Sequence, residues 1–293
     1  MKKMYSNKLN IFLFLVPGLI LFVGVLVAPI IASGYFSFFD WNGIGEKVFI
    51  GFKNYKELFT SKPIGFLRAL KNSLLLAGLS VCIQLPFCLW LALKLGKGIK
   101  GERFFLSVYF MPVLISTVVI GQLWLKIYNP DYGILNVLLR AVGLDSWAKI
   151  WLGTKETALG AVFIPTLWQY VGYHMLLMYA GIKSVPKDLR EAAMLDGATD
   201  SQVNWFIVIP YIKPVLRVSV IFAITGSLKS FDLIYVLTNG GPLHSTEVPS
   251  TLMINMLFLR NRYGMGSTIA VLLIFLCFGF ALLVGLIFKE EED

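Results

Sequence analysis

The sequence predicts an all-α integral membrane protein, a bundle of six transmembrane helices with a short cytoplasmic helix between the fourth and fifth. Three observations carry that expectation. Of the 293 residues, 57% are hydrophobic and 15% are charged, with a mean hydropathy of +0.74, whereas a soluble domain is about half apolar and a quarter charged. Six stretches approach or exceed the roughly 20 apolar residues that cross a bilayer. The basic residues behind the formal net charge of +9 border those stretches, as membrane-flanking residues do. No basic face with interleaved aromatics points to nucleic acid.

The spans are expected at about 11–35, 73–93, 104–127, 158–182, 215–237 and 267–288, in a single transmembrane domain over 1–293. The first follows Met1-Lys-Lys and Lys8. It is too long for a signal-peptide core and lacks a small-x-small cleavage site, so it is read as a retained helix. Cys82, Cys88 and Cys277 all fall inside spans, which argues against a disulfide framework.

Basic residues divide evenly between the two sides, but the positive-inside rule weighs short loops and the first helix most. Lys2, Lys3 and Lys8 precede helix one, and Lys94, Lys97, Lys100 and Arg103 crowd the loop between helices two and three. Both place the N- and C-termini, and the loop 183–214, in the cytoplasm. On the outer side, Gly51-Phe-Lys-Asn-Tyr55 is expected to lead into an interfacial helix ending near Lys71. The short apolar stretch 250–259 is expected to lie in the outer interface.

The loop 183–214 is polar yet patterned. Asp188 is expected to cap a short helix carrying Glu191 in its first turn, where an acid is favoured. Ala192, Ala193 and Leu195 then leave a surface of little bulk, and after Asp196 comes Gly197, whose backbone can turn at the helix end. Such a helix can lie close against another subunit; the plainer alternative is a solvated connector.

Several chemistries are missing. There is no G-x-x-x-x-G-K-[ST] phosphate loop, and Gly96-Lys-Gly-Ile-Lys-Gly101 has the wrong spacing. His174 and His244 are the two histidines, without a metal-ligand pattern around them. His174 reads as a packing or pore residue and His244 as an outer-loop one. Lys229 and Asp232, three apart on helix five, are expected to pair.

Glu191-Ala-Ala-x-x-x-Gly197, followed by Ile209-Pro210 and Pro214, resembles the cytoplasmic loop of binding-protein-dependent ABC importer permeases. Pro17, Gly51-Phe-Lys-Asn-Tyr55, Asn72, Phe110-Met-Pro112, Trp124, Asn129-Pro-Asp-x-Gly133, Ser184-Val-Pro186 and Phe231-Asp232 resemble the sugar-type subgroup. Thr238-Asn-Gly-Gly-Pro242 is similar to the permease half related to the maltose and glycerol-3-phosphate transporters.

The resemblance implies a multi-pass protein of a bacterial or archaeal cytoplasmic membrane, which pairs with a second homologous permease in a heterodimer. It also implies two ATPase subunits, which carry the ATP and Mg, and an extracytoplasmic sugar-binding protein. This chain would itself bind no cofactor and catalyse no reaction. Glu191, Ala192, Ala193, Leu195, Asp196 and Gly197 would form the coupling helix that docks on an ATPase.

A candidate substrate pathway comes from the residues themselves. On helix four Thr166, Gln169, Tyr170 and Tyr173 recur at i, i+3, i+4 and i+7, which aligns them on one face. On helix five Ser227 and Ser230 share a face with Ile234. Hydroxyls, an amide and uncharged rings suit a sugar, and the same positions resemble those lining the cavity of the maltose-type permease. Interhelical packing is the bland alternative. Rival functions are an ion-coupled carrier working without an ATPase, resting on Lys229 and Asp232, and a permease for a sugar phosphate.

Overall fold

The computed structural model describes residues 8–288. Lys2, Lys3 and both chain termini, whose cytoplasmic placement the charge pattern predicts, lie outside those residues. The chain forms two compact units, Met1–Ile64 with Met253–Ile274, and Gly65–Leu252 with Phe275–Asp293.

In the first unit, α1 (Lys8–Leu21) runs through a π-helical turn, Phe22–Val27, into α2 (Ala28–Phe36). A hairpin follows, β1 (Phe39–Asp40) antiparallel to β2 (Val48–Phe49), with Phe39 opposite Phe49. Then comes α3 (Lys53–Thr60). Asn54, only 2% exposed, explains the Gly-Phe-Lys-Asn-Tyr motif. Its Nδ2 donates to the carbonyls of Ser37 (3.0 Å) and Phe39 (2.9 Å), satisfying backbone groups where helix gives way to hairpin.

Arg262 donates two 2.8 Å hydrogen bonds to the Glu57 carboxylate, a planar fork-to-fork pair. Hydrogen bonding from Arg262, aided by its charge, holds the Glu57 carboxyl below its ordinary value. With the folded value depressed, the pair's stabilisation is complete above the unfolded value and is lost as pH falls through the folded one. Arg262→Gln should therefore flatten the pH dependence of α3 opening and raise hydrogen exchange of residues 53–60 at neutral pH toward the parent's rate in acid.

The second unit begins with α4 (Phe66–Leu79), a π-turn Ser80–Gln84, and α5 (Leu85–Gly96). This rod starts at Phe66, so the interfacial helix expected to end near Lys71 is instead the short α3 plus the first turns of α4. Next come α6 (Glu102–Leu114) and α7 (Thr117–Ile127), bent by 96° where a single helix over 104–127 is expected. Pro112 removes a helical hydrogen bond, and β-branched Ile115 favours the extended backbone seen at Ile115 and Ser116.

After α8 (Ile134–Ala141), α9 (Lys155–Ser184) is the longest helix among the described residues. The loop helices are α10 (Lys187–Leu195), α11 (Asp200–Val203) and α12 (Ile209–Tyr211). Helix five is also broken, into α13 (Lys213–Leu228) and α14 (Asp232–Thr238), with Phe231 off the helical region between them. The described residues close with α15 (Pro249–Ile254), a π-turn Asn255–Leu259, and α16 (Tyr263–Ile287). Pro249–Leu252 and Met256 are buried whereas Phe258 and Leu259 are exposed, so the first half of the stretch expected at an interface packs within the protein and its end remains open.

Among the described residues, three of the four π-turns, Phe22–Val27, Ser80–Gln84 and Asn204–Val208, end two residues before a proline: Pro29, Pro86 and Pro210. Proline has no N–H and its ring clashes with the carbonyl four residues back. Widening the preceding turn relieves that clash without breaking the helix.

Among the described residues, four rods are long and apolar enough to cross a membrane, Ile11–Phe36, Phe66–Gly96, Lys213–Thr238 and Tyr263–Ile287, and the bent pair α6–α7 adds a fifth if it is one broken span. This is a helical membrane bundle. Helix α9 has the length, but Gln169, Tyr170, Tyr173 and His174 interrupt its apolar run. Two cores hold the second unit. In one, Cys88 and Ala92 of α5 meet Met175, Met178 and Ile182 of α9. In the other, Leu76, Ile120, Val162, Phe163 and Ile234 come together.

Gly172 sets how closely α6 and α9 approach. A Cβ there would lie 1.9 Å from the carbonyl oxygen of Tyr109, a backbone atom with nowhere to retreat. Small residues at such crossings let helix backbones touch. Gly172→Ala should cost about 3 kcal/mol, at the upper end for overpacking. A thermal melt in detergent should show a drop of several degrees.

Candidate functional site

A cavity of about 400 Å³ opens within the second unit, inside the range of small-molecule sites. All six residues expected on the pathway line it: Thr166, Gln169, Tyr170 and Tyr173 from α9, with Ser227 and Ser230 at and just beyond the end of α13. The alignment at i, i+3, i+4 and i+7 survives because α9 stays continuous there, so one stripe faces one space.

The hydroxyls are already partly engaged. Thr166 Oγ1 donates to Val162 O at 2.8 Å, and Ser227 Oγ donates to Ala223 O at 2.7 Å. Each donates back along its own helix, leaving oxygen lone pairs to accept from a ligand. Gln169 is 3% exposed; its Nε2 donates to Thr117 Oγ1 at 3.4 Å, while Oε1 has no partner. The 96° break between α6 and α7 brings Thr117 to the cavity. Tyr170 and Tyr173 are partly open, and Tyr173 tilts against Phe222 with ring centroids 6.2 Å apart.

Other lining residues escape the helical-face argument. Ser80 and Gln84 reach the cavity from the π-turn of the second rod. Ser80 donates to Gln84 Oε1, and Gln84 Nε2 donates to Leu167 O at 2.5 Å. Their signal is a pair of polar residues four apart in an apolar helix, next to Pro86. His174 also lines the cavity, 4% exposed, with Nδ1 unpartnered.

Lys229 and Asp232 both line the cavity but make no ion pair with each other. Helical spacing would have joined them. The helix ends at Leu228 and restarts at Asp232, so that spacing never forms.

The loop helix α10 stands apart from the cavity. Its N-cap is Pro186, without a side-chain cap bond. Asp188 is thus inside the first turn rather than the cap, and Glu191 falls two residues deeper into the helix than expected, in its second turn. Proline at 186, with ψ of 134°, lets the helix start at Lys187. At the other end Gly197 (φ +87°) completes a paired cap: its N–H donates to Met194 O at 3.1 Å, and that of Ala198 donates to Ala193 O at 2.9 Å.

Glu191, Ala192, Leu195, Asp196 and Gly197 are exposed, and Leu195 retains 88% of its surface. Ala193 differs: it is half-buried against the α5–α9 core, so its small size brings α10 close to its own protein. Arg190 Nη2 donates to Ile182 O at 2.5 Å, anchoring α10 to the C-terminal end of α9. Among the described residues, no group of three or more His, Cys, Asp or Glu is placed to hold a metal ion.

Comparison with known proteins identifies the family. The chain is 39% identical to a probable ABC transporter permease, YurN of Bacillus subtilis (strain 168), over 98% of this chain and 99% of that one. It is 31% identical to the diacetylchitobiose uptake system permease NgcF of Streptomyces coelicolor, over 98% and 84% respectively. A crystal structure of a bacterial ABC transporter that imports the acidic polysaccharide alginate superposes with a TM-score of 0.85 and 25% identity, covering 100% of this chain and 99% of that one. The same kind of transporter bound to a periplasmic protein carrying an alginate pentasaccharide gives 0.83 and 25% identity, covering 97% and 94%. Residues 84–290 match the binding-protein-dependent transport system inner membrane component, and the chain belongs to that family.

Proposed function

We propose that this chain is the permease subunit of an ATP-driven ABC importer and forms one side of the membrane path for a sugar or oligosaccharide. The observation that carries the reading is the cavity: six hydroxyl, amide and tyrosine side chains from α9, α13 and the break just after α13 line one space, in a chain whose relatives move saccharides. Hydroxyls of a sugar exchange hydrogen bonds with Gln169, Thr166 and Ser227, and its apolar ring face lies on Tyr170 and Tyr173.

In this reading residues 1–293 form one transmembrane domain with six crossings: the four rods, the bent α6–α7 pair and α9. Both termini and α10 face the cytoplasm. Helix α10 is the coupling helix, which seats Glu191, Ala192, Leu195 and Asp196 in a groove of a separate ATPase. Ala193 and Gly197 hold its shape. This chain carries no phosphate loop, so ATP and Mg belong to two ATPase subunits, and a second homologous permease completes the path. A loaded binding protein docks outside, as a periplasmic protein does on the alginate transporter. Closure of the ATPases then turns the cavity outward, and hydrolysis resets it.

An ion-coupled carrier would need a richer set of acids along its path than Asp232, the one acid among the cavity's lining residues. A sugar phosphate would need more cationic groups than Lys229, which stands alone among the lining residues. Deleting the ATPase gene should abolish uptake of the transported sugar. Uptake that persists and follows the proton gradient would refute the proposal.

A further inference from the structure

A second groove, of about 480 Å³, runs along the length of α5 and across α11 and the π-turn Asn204–Val208 after it. One end is apolar, walled by Pro86, Leu89 and Leu93 of α5 and by Ile209. The other end is polar, with Lys94, Lys97, Asp200, Ser201 and Asn204. Trp90 and Trp205 flank it, 53% and 66% exposed, and Trp90 stacks on Phe87 with centroids 5.9 Å apart. Exposed tryptophans of this kind favour the headgroup level of a bilayer.

The charge balance decides what fits. Lys97 Nζ sits 2.5 Å from Asp200 Oδ2, so the carboxylate is neutralised where an anion would approach. Lys94 is exposed and has no ion-pair partner among the described residues. The groove therefore carries one uncompensated positive charge beside a hydroxyl and an amide. Pro86 to Lys97 spans about 16 Å of helix at 1.5 Å per residue. That length accommodates an acyl chain along the apolar wall with a phosphate at the lysines.

We propose that this groove holds an anionic phospholipid, its phosphate between Lys94 and Lys97 and one acyl chain along Leu89 and Leu93 between the two tryptophans. The inference needs only that the rod Phe66–Gly96 crosses the membrane. It is independent of the transported solute.

The test uses the full chain, in its transporter complex, in nanodiscs of phosphatidylcholine with one-fifth phosphatidylglycerol, and counts retained lipid by native mass spectrometry. One phosphatidylglycerol should stay bound in clear preference to phosphatidylcholine. Lys94→Gln should reduce its retention roughly tenfold, about the value of one charge-assisted contact, while Lys94→Arg should keep it. Trp205→Ala should weaken retention of both lipids. Equal retention of the two lipids, or an unaltered preference in Lys94→Gln, would overturn the proposal. Displacement by inorganic phosphate would assign the site to a small anion and also overturn it. Protection of Trp205→Cys from a maleimide by a neighbouring subunit, with no lipid retained, would make the groove a protein interface, again overturning it. Sugar uptake is not the readout, so failure here leaves the transport proposal untouched.

Discussion

Glu191→Lys should reduce sugar uptake roughly tenfold or more, the scale of reversing one partner of a docked charge pair, while leaving the permease folded and inserted. The side chain is exposed on α10 and makes no hydrogen bond or ion pair with another described residue, so the described fold loses none by the change. A lysine also has good helix propensity at that position. The loss should appear as ATP hydrolysis no longer tied to transport, together with weaker recovery of the ATPase when the permease is purified. Glu191→Gln keeps the shape and removes only the charge, so its defect should be smaller. Normal uptake by Glu191→Lys, at normal protein level, would remove α10 from the docking role.

Gln169→Leu should lower uptake by about ten- to one-hundredfold, since one or two lost hydrogen bonds to a buried polar ligand cost about 1–3 kcal/mol. Gln169 is almost fully buried, yet its Oε1 has no partner within the protein. An orphaned acceptor at a cavity wall is costly unless something else bonds to it during function. Leucine fills much the same volume, so if Gln169 serves only helix packing, uptake and thermal stability should both be retained. The pathway reading predicts stability unchanged or raised, with uptake lost. Wild-type transport by the leucine variant would assign the residue to packing.

Much of the bundle was legible because hydropathy is a property of twenty-residue windows, and the apolar rods are that long. The same averaging hid the two helix breaks. Ile115-Ser116 is only two residues wide and sits among β-branched apolar side chains, so no window registers it. The Lys229–Phe231 gap is of similar length, and it alone separates a helical ion pair from two charges facing a cavity. The stripe on α9 was readable since a continuous helix obeys its period. Ser80 and Gln84 were not, as a π-turn changes which side chains share a face. On α10 the exposed Glu191 and the turn at Gly197 follow from local chemistry, whereas the cap was misplaced because Pro186 starts the helix earlier than Asp188 could.

The claim that α10 transmits the work of a separate ATPase is tested most directly by cross-linking. Ala192→Cys places a thiol on the exposed surface of α10 without adding appreciable bulk. In the purified transporter it should form a single adduct with the ATPase subunit, in a yield that changes when ATP is added. An Ala192→Cys thiol that stays freely accessible to a water-soluble maleimide in the assembled complex, and never joins the ATPase, would contradict the account.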